Sequence, residues 1–348
     1  MKKLLITGGS GFLGYHLCKK LSKDYAEIIL IDIDEFNKKD FENNVKFYKL
    51  DVRDKEGIED IIKKEKPTHI IHAAAALPLY PPRVIRAVNV GGTKNILESA
   101  LSNNIERVVF ISSTAVYGVP DKHPLYEEDD MIGVGAYGET KIIGEKICEK
   151  YRKNGLCVSI IRPKTFIGTG RLGVFQILYD WVEYGKKIPI IGNGKNKYQL
   201  LEVQDLVDAI RIMLKGERKI INDVFNVGAK DFDIVYNDVG DLCTHANSGA
   251  RVFKTPSKIV KFLLRILEMF KLSPLYKWVY GTAEKDSFVS TEKIEKIGWN
   301  PQFSNSQALI NSYDWYLKNK AESNQKGTGV THRVAWSQGA LGLIKKIM

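Results

Sequence analysis

Cysteine is scarce in this sequence, and its placement argues against two common ways of stabilising a fold. The 348 residues include four cysteines, with no CxxC pair and no grouping with histidines: Cys18, Cys148, Cys157 and Cys243. This spacing argues against a zinc site and a disulfide framework, and it fits a reducing compartment. We therefore expect a cytoplasmic protein without a bound metal.

The sequence also lacks an apolar run long enough to cross a membrane. The start has only Leu4–Ile6 before glycines begin, which is too short for a signal peptide. The segment Ile259–Phe270 is interrupted by Lys261, Arg265 and Glu268, and a bilayer requires about 20 apolar residues. Apolar residues make up 44% and charged residues 27% of the chain, which is typical of a globular protein.

Acidic residues are fewer than basic ones, 41 against 52, which gives a net charge of +11. Such an excess fits an anionic partner: a nucleic acid, an acidic membrane surface or a phosphorylated small molecule. It also fits a lysine-rich surface without a specific role, because the basic residues are spread along the chain. No motif supports nucleic-acid binding, so we expect no nucleic-acid partner.

The first half of the chain alternates β-branched apolar segments with segments of helical periodicity. The predicted strands are Lys3–Thr7, Glu27–Asp32, Val45–Asp51, Thr68–His72, Arg107–Ser112 and Cys157–Arg162. The predicted helices are Phe12–Lys23, Lys55–Lys64, Arg83–Leu101 and Ala136–Lys153. Apolar strands that alternate with helices indicate a parallel sheet covered on both faces. We predict an α/β fold, a Rossmann-type doubly wound parallel sheet.

The pattern changes after Pro163, where glycines become frequent. We predict one domain at residues 1–163, to which residues 203–228 return with a helix at Asp205–Leu214 and a strand at Val224–Val227. Residues 164–202 and 229–318, with a helix at Ser257–Phe270, form a smaller α/β C-terminal domain that we expect to bind substrate. Residues 319–348 are predicted to be a linker, polar from Asn319 to Thr331, and an amphipathic basic tail.

A glycine-rich turn follows the first predicted strand. Gly8, Gly11 and Gly14 have the spacing GxxGxxG, with Phe12 and Leu13 between the last two, and a predicted helix follows. These glycines permit a tight turn, close approach of a pyrophosphate and close packing of helix on strand, and the helix N-terminus attracts the anion.

An acidic residue completes the pattern. Asp32 stands 18 residues beyond Gly14, where a ribose-binding carboxylate is expected. A carboxylate accepts hydrogen bonds from both ribose hydroxyls and repels a 2′-phosphate, so NAD is favoured. Lys38 and Lys39 keep NADP as the alternative.

Two further motifs carry acid–base chemistry. Tyr137 and Lys141 form YxxxK on a predicted helix, so their side chains share one face. A nearby ammonium lowers the pKa of a tyrosine and allows its phenolate to act as a base near neutrality. The hydroxyl-rich segment Ser112–Thr114 follows a predicted strand, where α/β sheets bind ligands.

Together these residues resemble the extended short-chain dehydrogenase/reductase family, in its NAD-dependent epimerase/dehydratase branch. The resemblance covers about residues 1–318. Its motifs are TGGSGFLG at 7–14, Asp51-Val52, HAAAA at 72–76, NVGGT at 89–93, SSTAVYG at 112–118 and YGETK at 137–141.

The resemblance implies a role for each matching residue. Tyr137 corresponds to the acid/base, Lys141 to the residue that holds the nicotinamide ribose, and Ser113 to the partner of the substrate hydroxyl; Ser112 and Thr114 are weaker candidates for that last role. The implied NAD contacts are Gly8, Gly11, Phe12, Leu13, Gly14, Asp32, Asp51, Val52, Ala73, Ala74, Ala75, Asn89, Ser112, Tyr137, Lys141 and Pro163. His72 is expected to be a buried residue at a strand end.

The resemblance implies hydride chemistry on a secondary alcohol. In an epimerase, the keto intermediate turns over and receives the hydride on its other face. Dehydratases and decarboxylases of the family carry acidic residues where this chain has Thr114 and Ala115. We therefore expect a nucleotide-sugar epimerase, acting at C4. The alternatives are a net oxidoreductase of a secondary alcohol or ketone, with an apolar substrate at Ser257–Phe270, and a non-catalytic binding protein.

The substrate contacts depart from the family pattern. Tyr198 stands at the place of an arginine that binds the substrate diphosphate, and Thr165 at the place of an asparagine. A second family arginine, near Lys285-Asp286, is not evident. Possible replacement cations, each expected by default on the solvated surface, are Lys164, Arg171, Lys195, Lys197 and Lys285.

The resemblance also implies a homodimer, with a four-helix bundle built from Arg83–Leu101 and Ala136–Lys153. The basic tail at Gln338–Met348 could dock on the body, bridge subunits or contact an anionic membrane; docking or disorder is the default expectation.

Overall fold

The computed structural model describes residues 2–35, 41, 43–170, 173–270, 277–323 and 345. Its strands are β1 (Lys3–Thr7), β2 (Glu27–Asp32), β3 (Val45–Lys49), β4 (His69–His72), β5 (Arg107–Ile111), β6 (Val158–Pro163), β7 (Thr165–Ile167), β8 (Lys187–Ile191), β9 (Leu200–Glu202), β10 (Val224–Val227) and β11 (Arg251–Thr255).

The helices begin and end as follows: α1 (Phe12–Leu21), α2 (Lys55–Glu65), α3 (Pro82–Arg86), α4 (Thr93–Ser102), α5 (Gly135–Lys153), α6 (Val174–Glu183), α7 (Val203–Lys215), α8 (Arg218–Ile221), α9 (Val235–Ala246), α10 (Ser257–Met269), α11 (Lys277–Thr282), α12 (Glu292–Glu295) and α13 (Asn305–Ser323). A 3₁₀ turn spans Thr114–Tyr117.

Seven strands form one parallel sheet in the order β10-β6-β5-β4-β1-β2-β3. Leu5 of β1 pairs in register with Ile29 and Ile70 on its two sides. Since successive side chains point to opposite faces, Leu4 and Ile6 belong to a core with α1 and α7, and Leu5 to a core with α2, α4 and α5. The predicted doubly wound α/β fold is confirmed.

A further hydrophobic core lies outside this sheet. It contains Tyr179 of α6, Leu242 of α9, and Tyr313 and Tyr316 of α13. The two-stranded parallel sheets β7-β9 and β8-β11 border it. The assignment of cofactor and substrate to separate domains stays a prediction.

The segment predicted as one helix at Arg83–Leu101 is less regular than expected. Between α3 and α4, residues Ala87–Gly92 form a π-helical turn. Asn89 lies in this turn, buried, with its side-chain amide bonded to the backbone of Ala76. Wider turns of this kind occur often at functional sites. The other predicted elements lie within about two residues of the observed bounds.

The predicted linker begins too early. Helix α13 continues through Asn319 to Ser323, and Lys320 ties it to α6 by a 2.6 Å ion pair with Glu183. Of residues 324–348 the structure describes Lys345, which forms an ion pair with Asp180 and lies 3.8 Å from the ring centroid of Tyr184. The remainder of the predicted tail lies outside the described residues.

The part of the chain that the structure describes was compared with the requirements of a membrane-spanning helix and of a metal site. No helix there combines the length and apolar character needed to cross a bilayer, and no three His, Cys, Asp or Glu side chains are grouped so that they could hold a metal ion. The four cysteines are free thiols and are buried.

Candidate active site

The turn between β1 and α1 is tightly packed backbone. Gly8 has φ +72°, and its amide donates to the carbonyl of Ile31 at 2.9 Å. A Cβ on Gly14 would lie 2.2 Å from the Gly8 oxygen. Because α1 begins at Phe12 without a side-chain cap, the amides of its first turn are available to an anion. The turn therefore fits a pyrophosphate group.

Asp32 closes the same turn at the carboxyl end of β2. Its carboxylate accepts hydrogen bonds from the Ser10 amide at 2.9 Å and the Asp34 amide at 3.1 Å. Burial raises the pKa of Asp32, and these backbone donors oppose the shift. The position fits a ribose-binding carboxylate beside the glycine turn. Lys38 and Lys39, the residues that favoured NADP, lie outside the described residues.

The end of β3 supplies the next predicted contacts. Asp51 pairs with Arg53 at 2.6 Å, and this pairing lowers the pKa of Asp51. Val52 is buried and packs closely on Gly92, where a Cβ would lie 2.6 Å from its Cγ2. Arg53 is half-exposed and was not singled out from the sequence, because one arginine after a strand carries no specific signal.

The loop after β4 is fixed by two side chains, Thr7 of β1 and Asn89 of the π-helical turn. The amide of Ala74 donates to Thr7 Oγ1 at 3.2 Å, beside Ala73 and Ala75. Asn89 accepts from the Ala76 amide at 2.8 Å and donates to Thr140 Oγ1 on α5 at 3.1 Å. The predicted cofactor loop is thus joined to the helix that carries the YxxxK motif.

His72 is a buried residue at a strand end, as predicted. Its Nδ1 lies 2.7 Å from Thr7 Oγ1 and its Nε2 3.1 Å from Thr93 Oγ1. Burial lowers the pKa of His72 to about 3, with a smaller effect from the charge of Lys141. The imidazole is therefore neutral and links β1, β4 and α4.

Helix α5 places Tyr137 and Lys141 on one face. The Lys141 ammonium lies 5.7 Å from the Tyr137 ring centroid and donates to the carbonyl of Ile111, the last residue of β5, at 2.8 Å. Burial lowers the pKa of Lys141 to about 8, and the charge of Glu145 opposes this. Gly138 allows the close approach of α5, since a Cβ there would lie 2.7 Å from the Ala115 oxygen.

The three hydroxyl residues after β5 point to different partners. Ser112 is buried, and its hydroxyl donates a hydrogen bond to the buried carboxylate of Glu145 at 2.5 Å. Ser113 accepts from the amide of Ala115 at 3.1 Å, and Thr114 donates to the carbonyl of Pro163 at 3.4 Å. Among the three, the side chain of Ser112 is the least suited to contact a substrate hydroxyl.

A buried ionic network lies behind these residues and was missed from the sequence. Arg162 of β6 pairs with Glu145 of α5 at 2.6 Å and donates to the Tyr117 hydroxyl at 2.8 Å. That hydroxyl donates to Asn226 Oδ1 of β10 at 2.7 Å. The available signal was an arginine inside an apolar strand and a glutamate one turn after Lys141.

The region predicted to contact substrate begins where β6 ends. Thr165 Oγ1 and the Tyr198 hydroxyl are 2.7 Å apart. Neither residue lines the cavity of about 720 Å³ at the ends of β8 and β11, whose walls are Gly192, Asn193, Lys254, Thr255, Pro256, Ser257, Glu284 and Lys285.

The predicted replacement cations differ in their surroundings. Lys195 and Lys197 are exposed, Lys285 pairs with Asp121 at 3.1 Å, and Arg171 lies outside the described residues. Lys164 departs from the expectation of a solvated lysine, because it is buried. It could not be recognised as buried from the sequence, since its partner Ser287 is 123 residues away.

Comparison with known proteins agrees with this geometry. Residues 4–228 match the model of the NAD dependent epimerase/dehydratase family. An uncharacterised protein, y4nG of Sinorhizobium fredii, is 34% identical across 99% of this chain and 86% of its own length. The UDP-glucose 4-epimerase of Lactobacillus helveticus is 26% identical across 90% of this chain and 97% of its own.

A solved structure shares the fold. The UDP-glucose 4-epimerase of Thermotoga maritima, crystallised with UDP-glucose, superposes with a TM-score of 0.76 at 22% identity, covering 91% of this chain and 99% of that one.

Proposed function

The chain belongs to the NAD-dependent epimerase/dehydratase family, and we propose that it is a nucleotide-sugar epimerase that inverts C4 of the sugar. The observation that carries this proposal is the placement of the Lys141 ammonium beside the Tyr137 ring, at the carboxyl end of β5 where Ser113 lies. A phenol beside a buried cation at this edge of the sheet is suited to move the proton of a substrate hydroxyl.

NAD would be held by the glycine turn, Asp32 and the loop Ala73–Ala75, and when bound it accepts and returns a hydride. Tyr137 takes the substrate hydroxyl proton at its phenol oxygen and later gives it back. Lys141 stabilises the phenolate, and Ser113 orients the reacting oxygen. The other predicted NAD contacts, among them Pro163 and Asn89, complete the proposed site.

A dehydratase is disfavoured by the residues next to Ser113. Elimination of water requires a further acid or base, but the 3₁₀ turn carries Thr114 and Ala115 in those places. Since neither side chain ionises, the proposed chemistry stops at oxidation and reduction of one carbon. Inversion of a centre is therefore favoured over loss of water.

A net oxidoreductase is the second candidate, favoured by the surface of α10. Phe262 is 63% exposed and Met269 73% exposed on this helix, and its first residue, Ser257, lines the cavity described above. An apolar face beside a cavity is suited to a substrate with an apolar part.

One assay separates the two functions. The purified protein is incubated with UDP-, dTDP- and GDP-sugars, products are identified by NMR, and NADH is followed at 340 nm. Interconversion of two nucleotide sugars without net NADH supports the epimerase. Turnover that consumes cofactor in proportion to product contradicts it and supports the oxidoreductase.

The assembly and location are also proposals. We propose a homodimer formed through α3, α4 and α5, by resemblance to the family, and light scattering at twice the monomer mass would support it. The four free, buried cysteines are consistent with a cytoplasmic location.

A further inference from the structure

Lys164 is a buried lysine at the junction between the two parts of the fold. It lies between the last residue of β6 and the first residue of β7, and its backbone amide donates to Val227 at 2.8 Å. The residue is 4% exposed. Its ammonium donates to Ser287 Oγ at 2.6 Å and lies 4.9 Å from the ring centroid of Tyr198.

The charge of this ammonium has no acidic partner in the described part of the chain. A hydroxyl and an aromatic face are its neighbours, and burial alone lowers the pKa of Lys164 to about 7. The other buried cations are placed differently: Arg162 pairs with Glu145, and Lys141 is under the influence of the same glutamate. A buried cation without an anion is costly to the fold.

The neighbours of Lys164 are the residues expected to contact substrate. Tyr198 stands where related sequences place an arginine for the diphosphate, and its hydroxyl lies 2.7 Å from Thr165. The ammonium of Lys164 therefore places a positive charge beside Tyr198, the residue that stands in the position of the arginine. Ligands of parallel α/β sheets bind at this carboxyl edge.

We propose that Lys164 is the anion-binding group of the substrate cleft, where it contacts the diphosphate of the nucleotide sugar together with Thr165, Tyr198 and Ser287. The inference rests on the proposed function and adds to it a residue that the family pattern does not supply. Phosphate oxygens provide the negative charge that the buried ammonium lacks.

The test is nucleotide binding to the NAD-loaded protein. Isothermal titration with UDP, dTDP and GDP compares wild type, Lys164→Met and Lys23→Met, which removes one charge from an exposed position just after α1, outside the proposed site. We expect Lys164→Met to weaken binding of the preferred nucleotide at least about tenfold, the size of effect typical of a lost charge-assisted hydrogen bond. Lys23→Met should change it by less than about twofold.

The affinities of wild type and Lys164→Met distinguish failure of this inference from failure of the proposed function. Equal affinity in wild type and Lys164→Met overturns the inference while leaving the proposed function intact. Failure of wild type to bind any of the three nucleotides overturns the proposed function and the inference with it. If Lys164→Met does not fold by circular dichroism, Lys164→Gln replaces it in the same titration.

A second ligand identifies the anion. A sugar carboxylate is the other source of negative charge in this class of ligand. If Lys164→Met loses affinity for UDP-glucuronate but keeps its affinity for UDP, the ammonium contacts the sugar and the diphosphate assignment is wrong. Equal losses for both ligands support the diphosphate.

Discussion

Arg162 and Glu145 form an ion pair in the interior, with Arg162 Nη2 2.6 Å from Glu145 Oε2 and both side chains at most 3% exposed. The pair joins β6, the strand next to the β10 edge of the sheet, to the helix that carries Tyr137 and Lys141. Ser112 donates to the same carboxylate. The pair therefore holds α5 against the carboxyl ends of β5 and β6.

Removing one partner of this pair should destabilise the protein strongly. Glu145→Gln leaves the buried guanidinium without a counter-charge, and we expect a loss of about 3 kcal/mol in the free energy of unfolding. Denaturant titration measures it, with the exposed Glu149→Gln on the same helix as control. Equal stability of the two variants would show that the pair is not a structural link.

Tyr137→Phe should abolish turnover while leaving the cofactor bound. The variant keeps the ring beside the Lys141 ammonium but has no proton to exchange, so we expect kcat to fall about 10³-fold. Cofactor retention is read from the absorbance of the released NAD. Tyr184→Phe, at an exposed tyrosine, is the control, and undiminished activity of Tyr137→Phe would refute the assignment.

Gly14→Ala should damage the cofactor turn. The new Cβ would meet the backbone oxygen of Gly8 at 2.2 Å and Gly9 Cα at 2.7 Å, so the turn must open. We expect a loss of about 2 kcal/mol in unfolding free energy and NAD affinity lowered at least about tenfold. The matched change Gly240→Ala, in α9 with no neighbour within 4 Å, should stabilise by about 0.5 kcal/mol. Normal NAD binding by Gly14→Ala would contradict the assignment.

His72 should make the fold sensitive to acid. Its folded-state pKa of about 3 lies below the ordinary value of 6.5, so the unfolded chain binds a proton more readily once the pH falls below 6.5. Stability is therefore lost between pH 6.5 and 3, at about 1.4 kcal/mol per pH unit. The ring faces Thr7, Thr93, Phe110 and the charge of Lys141.

The measurement is the free energy of unfolding at pH 6.5 and pH 5. His72→Gln should lose about 2 kcal/mol less over this interval than wild type. Comparison of the two proteins cancels the contribution of His69, which is also buried. Identical losses would show that His72 does not govern the acid side of the stability profile.

The sheet and the cofactor turn could be predicted because their signals are local. Apolar runs mark the buried strands, and the steric demand at Gly14 comes from Gly8 and Gly9 within the same turn of chain. The spacing of Tyr137 and Lys141 on one helix likewise decides their proximity.

The features that escaped prediction depend on distant partners. The π-helical turn at Ala87–Gly92 contains two valines and two glycines, which weaken an α-helix without indicating a wider turn. The contacts of Asn89 with Ala76 and Thr140 distinguish it, and they are distant in sequence. The end of the final helix depends on Lys320 reaching α6. No local pattern encodes such pairings.

The amide of Asn89 also constrains how the site can work. It forms two hydrogen bonds with Ala76 in the loop after β4. It also donates to Thr140, which lies between Tyr137 and Lys141 in the sequence. The loop proposed to contact the cofactor and helix α5, which carries the proposed acid/base, are therefore connected through one side chain. A displacement of the loop should therefore displace α5, and a displacement of α5 should displace the loop. In the proposed reaction, the positions of the hydride acceptor and the proton acceptor would then change together rather than independently.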